Sequence, residues 1–144
     1  KPWPRLAKGV VMHFPMFHLA FPVNELGAAK NFYQDVFGAT LGRQREQWCD
    51  IYMFGCQITL HEQPAQVIPK EDQGVRHFGA VLTWQQWEIL SQKLAEKNVE
   101  FELPPAVSHI AQQNEQARMA LCDPSGNIIE LKAYRYPKTA LELI

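Results

Sequence analysis

The chain has 144 residues, 47% of them apolar and 20% charged, with 14 Lys and Arg against 15 Asp and Glu for a net charge of −1. This is the balance of one globular domain with a sizeable core, and it excludes a disordered chain, which needs fewer aliphatic residues and more net charge. With neither a basic excess, a polybasic stretch nor a long apolar run, nucleic acid and membranes are excluded as partners, leaving a small molecule or a second copy of the chain. Three cysteines without C-x-x-C spacing (Cys49, Cys56 and Cys122) argue against a disulfide framework or a thiolate metal site and fit a reducing, cytoplasmic setting.

Residues 1–13 carry prolines, Gly9 and basic residues without periodicity and read as an N-terminal tail, with residues 1–11 non-native or upstream of a start at Met12. Residues 17–23 predict a strand, with Phe17, Leu19, Phe21 and Val23 alternating. Asn24 reads as the N-cap of a helix over 25–37, on which Leu26, Ala29, Phe32, Tyr33 and Phe37 share a face, and Gly38 ends it. Strands follow over 40–45, 48–54 and 56–62, the last two joined at Gly55, and then a polar connector over 63–75. The same order recurs: a strand over 77–82, a helix over 84–97 with Trp87, Leu90, Leu94 and Lys97 on one stripe, and strands over 99–103, 117–122 and 127–133. Asp123-Pro124-Ser125-Gly126-Asn127 is the turn between the last two. The polar stretch from Pro104-Pro105 to Glu115 reads as a surface loop or a mobile lid. Residues 138–144 read as a short helix or dimer contact.

Each half is therefore β-α-β-β-β. The predicted fold class is α+β, a single domain over 14–135 divided into module one (14–66) and module two (75–135), with a C-terminal tail at 136–144. Strand alternation then sets the histidines apart. His18 and Ala20 oppose Phe17, Leu19 and Phe21; Thr59 and His61 oppose Ile58 and Leu60. His77 and Gly79 oppose Phe78, Ala80 and Leu82, and Glu130 opposes Ile129 and Leu131. The bulky side can pack on a helix, while the other carries polar groups beside small ones, as a cavity lining does. Two imidazoles and a carboxylate suit a divalent transition metal with positions left open. Taken singly, a strand histidine also reads as a satisfied or edge residue, and a last-strand glutamate as a solvated one.

Phe17-His18-Leu19-Ala20-Phe21-Pro22-Val23, Asn31-Phe32-Tyr33-Gln34-Asp35-Val36-Phe37-Gly38, Arg76-His77-Phe78-Gly79, and Asp123-Pro124-Ser125-Gly126-Asn127 followed by Ile128-Ile129-Glu130-Leu131 are four stretches that stand out together. They resemble the vicinal-oxygen-chelate superfamily, the group of glyoxalases, bleomycin-resistance proteins and extradiol dioxygenases. The resemblance implies two paired βαβββ modules forming a curved mixed sheet around a metal cavity, with helices on the outer face and often a homodimer. It implies His18, His77 and Glu130 as metal ligands and His61 as an acid–base group or fourth ligand. Trp48, Phe54, Met119 and Phe14 offer apolar walls for an aromatic substrate, although each of them also reads as plain core. Arg118 is a pocket residue at most, since it and Arg76 read better as solvated surface.

An extradiol-dioxygenase-like enzyme with Fe(II) or Mn(II), acting on a small catecholic or vicinal-oxygen substrate, is the first functional expectation. The alternatives are a glyoxalase-like isomerase or thiol transferase with Zn(II) or Ni(II), and a metal-free drug- or ligand-binding protein of the bleomycin-resistance kind. One departure bears on the first: extradiol enzymes place a tyrosine about ten residues before the carboxylate ligand, where this chain has Ala120, and neither Tyr52, Tyr134 nor His109 matches the expected catalytic motif.

Overall fold

The computed structural model describes residues 15–143, so the expected tail over 1–13 and Phe14 lie outside the described residues. The chain divides into two compact units, one running through Gln73 and including Asp123–Gly126, the other comprising Gly74–Cys122 and the residues from Asn127 onward. Each is built on a four-stranded mixed sheet, and the α+β fold is two βαβββ repeats. Among the described residues no helix is long and apolar enough to cross a membrane.

In the first unit β1 (Phe17–Val23) is followed by α1 (Leu26–Phe37), β2 (Thr40–Gln44), β3 (Trp48–Met53) and β4 (Cys56–Glu62), in the sheet order β1-β4-β3-β2. β1 runs parallel to β4, the crossover being α1, and the other pairs are antiparallel. Leu26, Ala29, Tyr33 and Phe37 on the helix bury against Ile51, Met53, Ile58 and Leu60 on the sheet. That uses one side of each strand, and His18 and His61 stand on the other. The helix start differs from the expectation. Glu25, not Asn24, stands at the cap with an extended backbone and no side-chain cap bond. The end of β4 supplies the missing acceptor, Leu26 N–H donating to Glu62 Oε2 at 2.7 Å, while the Asn24 N–H donates to Ser125 Oγ at 2.9 Å. Gly38 closes the helix in the left-handed region (φ 68°). Phe54 and Gly55, both at positive φ, make the two-residue turn into β4.

In the second unit β5 (Phe78–Leu82), α2 (Trp84–Glu96), β6 (Phe101–Ser108), β7 (Gln116–Cys122), β8 (Ile128–Tyr134) and the short α3 (Pro137–Ala140) follow, with the sheet order β5-β8-β7-β6. A capping box between Thr83 and Gln86 starts α2, which buries Trp87, Leu90 and Leu94. Lys97, expected on that stripe, is instead the exposed C-cap. The last strand of the stripe's sheet receives the Trp87 indole, whose Nε1–H donates to Leu131 O at 3.1 Å.

The expected loop from Pro104 is the main correction. β6 runs on through both prolines to Ser108, because it is the edge strand of its sheet and its register with β7 shifts on either side of Leu103. An edge position and a bulge are where a residue without an N–H is tolerated. The loop that remains over 109–115 is tied back: Glu115 Oε2 accepts the Ala111 N–H at 2.9 Å and Glu115 O accepts the Arg135 N–H at 3.0 Å.

Candidate functional site

The second unit brings two of the expected ligands together. β5 and β8 are parallel neighbours with Gly79 beside Glu130, and His77 stands two residues before Gly79. His77 Nδ1 is 2.8 Å from Val75 O, and Nε2 is 2.8 Å from Glu130 Oε2. A carbonyl only accepts, so Nδ1 carries a proton, and Nε2 faces a carboxylate oxygen. Two acceptors at that distance need a proton or a cation between them. Glu130 is 7% exposed. Its other oxygen, Oε1, accepts from Arg118 Nε at 2.6 Å. Arg118 faces Lys132 in the ladder, and the diagonal bond to Glu130 takes its charge away from that like-charged neighbour. Arg118 is thus a partner of Glu130 rather than simply a solvated surface residue. Gly79 makes this geometry possible, because a Cβ there would collide with the backbone carbonyl of Glu130.

His18 and His61 lie in the first unit. His18 is exposed on β1 beside Gln57, and His61 pairs with Trp48 across β3 and β4, their rings 6.4 Å apart. A groove of about 380 Å³ opens at His61, lined by Ala20, Phe21, Pro22, Gln63 and Gln66. The same sheet face holds Asp50, which was missed in the sequence together with its partner Arg43 on β2. Asp50 is fully buried between Trp48 and Tyr52, its Oδ1 accepting from Thr59 Oγ1 at 2.7 Å and its Oδ2 from Arg43 Nε at 2.6 Å. Burial alone would push the Asp50 carboxyl up. The bonds from Arg43 and Thr59, with the charges of Arg43 and His18, outweigh it and hold the carboxyl below the usual carboxylate range. Alternation of Trp48, Asp50 and Tyr52 against Cys49, Ile51 and Met53 was the available signal, since it places Asp50 on the histidine side.

Two expected walls belong elsewhere. Met119 is fully buried opposite Leu131, on the helix side of its strand, because strand parity alternates it with Arg118 and Ala120. Phe54 packs edge-on against Phe37 of α1, ring centroids 5.6 Å apart, and so joins the core side. Trp48 is half-buried and pairs with His61 across β3 and β4. The cysteines are free, and burial pushes the Cys49 and Cys56 thiols up, away from reactive thiolates. Among the described residues no three His, Cys, Asp or Glu side chains gather into a group that could hold a metal ion. Of the expected set, His77 and Glu130 meet.

The chain is similar in structure to a glyoxalase/bleomycin resistance protein/dioxygenase from Alicyclobacillus acidocaldarius, at 25% identity and a TM-score of 0.75 over 86% of this chain and 96% of that one. It shares its fold with the fosfomycin resistance protein FosX of Listeria monocytogenes, at 16% identity and a TM-score of 0.66 over 85% and 94%. The fold is also that of a lactoylglutathione lyase from Agrobacterium tumefaciens, at 15% identity and a TM-score of 0.60 over 83% and 92%. No curated protein matches the chain. The family model described as Glyoxalase/Bleomycin resistance protein/Dioxygenase superfamily matches residues 16–131, spanning both βαβββ repeats and the residues that carry the resemblance, and the chain belongs to that superfamily.

Proposed function

We propose that the chain is a metal-dependent enzyme of this superfamily acting on a small molecule through adjacent oxygen atoms, in the manner of an extradiol dioxygenase with Fe(II) or Mn(II). The observation that carries the reading is the 2.8 Å approach of His77 Nε2 to Glu130 Oε2. An imidazole nitrogen and a carboxylate oxygen are both donors that a divalent transition ion accepts, and His77 Nε2 and Glu130 Oε2 would hold it. His18 is the third ligand in the proposal. A divalent ion bound there supplies a Lewis acid and a template for vicinal oxygens.

The chain's own residues do the rest. Val75 O fixes the ring and tautomer of His77 through Nδ1, and Arg118 holds Oε1 of Glu130 so that Oε2 is the oxygen offered. His61, beside its groove, holds or moves a proton on the substrate. A glyoxalase-like isomerase or thiol transferase, with Zn(II) or Ni(II) and His61 as fourth ligand, is the second reading. It is favoured by Ala120, the direct partner of Glu130, standing where ring-cleaving relatives place a tyrosine. As for many members of the superfamily, we propose a homodimer.

Metal analysis of tag-free protein after anaerobic reconstitution tests the reading. The expected result is stoichiometric metal in the wild type and in His61→Ala, lost in His77→Ala. Less than about a tenth of an equivalent with every divalent ion would overturn it in favour of a metal-free binding protein. Equal loss in His61→Ala makes that residue a ligand, and oxygen uptake with catechols by the Fe(II)-loaded protein separates the first reading from the second.

A further inference from the structure

The first unit carries a constructed cationic feature that the metal reading does not use. β2 pairs with β3 in register at Thr40, Leu41 and Gln44, and the register shifts between Leu41 and Gln44. Gly42 and Arg43 occupy that irregularity, opposite Asp50. A Cβ at Gly42 would stand 2.5 Å from the Tyr52 ring and 3.0 Å from Asp50 Cβ, so a larger residue there would have to displace the Tyr52 ring. The irregularity turns Arg43 onto the Asp50 face, as bulges beside binding sites do. Its Nε is committed to the buried carboxylate, which Thr59 fixes from the other side. Its guanidinium carbon lies 5.0 Å from the centre of the Trp48 ring, and that of Arg45 lies 5.6 Å from the same ring. Among the described residues neither Nη group of Arg43 has a partner, while Arg45 Nη1 donates to Gln44 O at 2.7 Å. The Arg43 side chain is 61% exposed.

A merely structural ion pair would not need a glycine, a register shift and a second guanidinium on one indole. Arginine is the residue whose planar fork binds one carboxylate while offering its other edge to a second oxyanion. We infer that Arg43, held by Asp50 and laid over Trp48, is an anion-binding arm of the first unit, and that it takes the carboxylate or phosphate group of a small organic ligand. Asp50 and Thr59 are its positioning residues. The inference needs no metal and stands apart from the preceding reading.

The test is a titration of the full chain, in chelator, with benzoate, phenyl phosphate and the neutral benzyl alcohol, followed by NMR at the Arg43 Nε–H and the Trp48 indole. Saturable shifts of both signals by either anion and none by the alcohol are expected, and which anion binds more tightly identifies the oxyanion. Arg43→Lys keeps a charge for Asp50 but loses the fork, and should weaken binding by about tenfold. The double variant R43M/D50N removes the pair together, leaves no buried charge behind, and should abolish the response. Asp50→Asn should release the Arg43 Nε–H to solvent exchange and weaken binding while the fold persists. Binding within about twofold of wild type in Arg43→Lys and the double variant, shifts centred on other basic residues, or no saturable shift would each overturn the inference. Because no metal is present, failure here leaves the metal reading standing, and the reverse.

Discussion

A buried carboxylate is tolerable only if its partners repay the loss of water, and Asp50 and Glu130 show two ways of doing so. Glu130 stands between an imidazole and a guanidinium. Asp50 is held by a guanidinium and a hydroxyl. For Asp50 the direction of the pKa fixes the sign of a pH effect. Its carboxyl is held below its usual range in the folded protein, so its stabilising contribution is complete above the unfolded value of about 3.9 and is lost as pH falls through the lower folded value. Urea unfolding of wild type and Asp50→Asn should therefore show a stability gap that is flat from about pH 7 to 5 and closes below about pH 4. A gap that stays constant to pH 3 would mean that the charge of Asp50 does not act in the folded state. The residue was in reach of the sequence, since parity put it on the histidine side. Its importance was not, because strand alternation says which way a side chain points and nothing of which arginine a register shift brings to it.

Elements with strong local signals were legible, and the exceptions have local physical causes. β1, β4, β5 and β8 carry alternating patterns, and the two helices carry stripes that bury except at Phe32, which is half-buried, and Lys97, the exposed cap of α2. β6 was not legible past Leu103, because two prolines end a central strand but not an edge strand, and edge status depends on the pairing of distant residues. The α1 cap was misplaced for a similar reason: Glu62, which receives the Leu26 N–H, is 36 residues away. Gly79 shows how one position can set the distance between elements. β5 pairs with β8 there, and any Cβ overlaps the Glu130 carbonyl, a backbone atom that cannot swing aside. Gly79→Ala should separate the two strands, cost about 3 kcal/mol or more, and remove the His77–Glu130 contact even though neither residue is changed. Denaturant unfolding with the His77 imidazole resonances reads both effects. A variant with wild-type stability and unshifted His77 signals would show that the close approach is not a constraint.

At the scale of the molecule, the repeat seen in the sequence and the division of the chain into units are not the same partition. The turn over 123–126 falls by sequence inside the second βαβββ repeat, yet it belongs to the first compact unit. The bonds it makes there explain why. Tyr33, fully buried on α1, donates from its hydroxyl to Asp123 Oδ2 at 2.8 Å, and Gln73 Nε2 donates to Gly126 O at 2.9 Å. Asp123 in turn accepts the Ser125 N–H at 2.9 Å, which keeps the carboxylate aimed at the tyrosine. The Asp-Pro-Ser-Gly turn, legible as a turn, is therefore also a core component of the unit that precedes it in the chain. Two consequences follow from the cost of a buried group short of its partner. Tyr33→Phe in the full chain should destabilise by about 1–3 kcal/mol, since a charged acceptor loses a buried donor. A fragment of residues 1–73 loses Asp123, Ser125 and Gly126 together, and it should lack the cooperative unfolding transition and dispersed amide spectrum of the whole protein. A fragment that folds independently, with Tyr33→Phe neutral in the full chain, would mean that the first unit is complete without the turn. Cutting the chain between its two repeats does not cut the molecule between its two units.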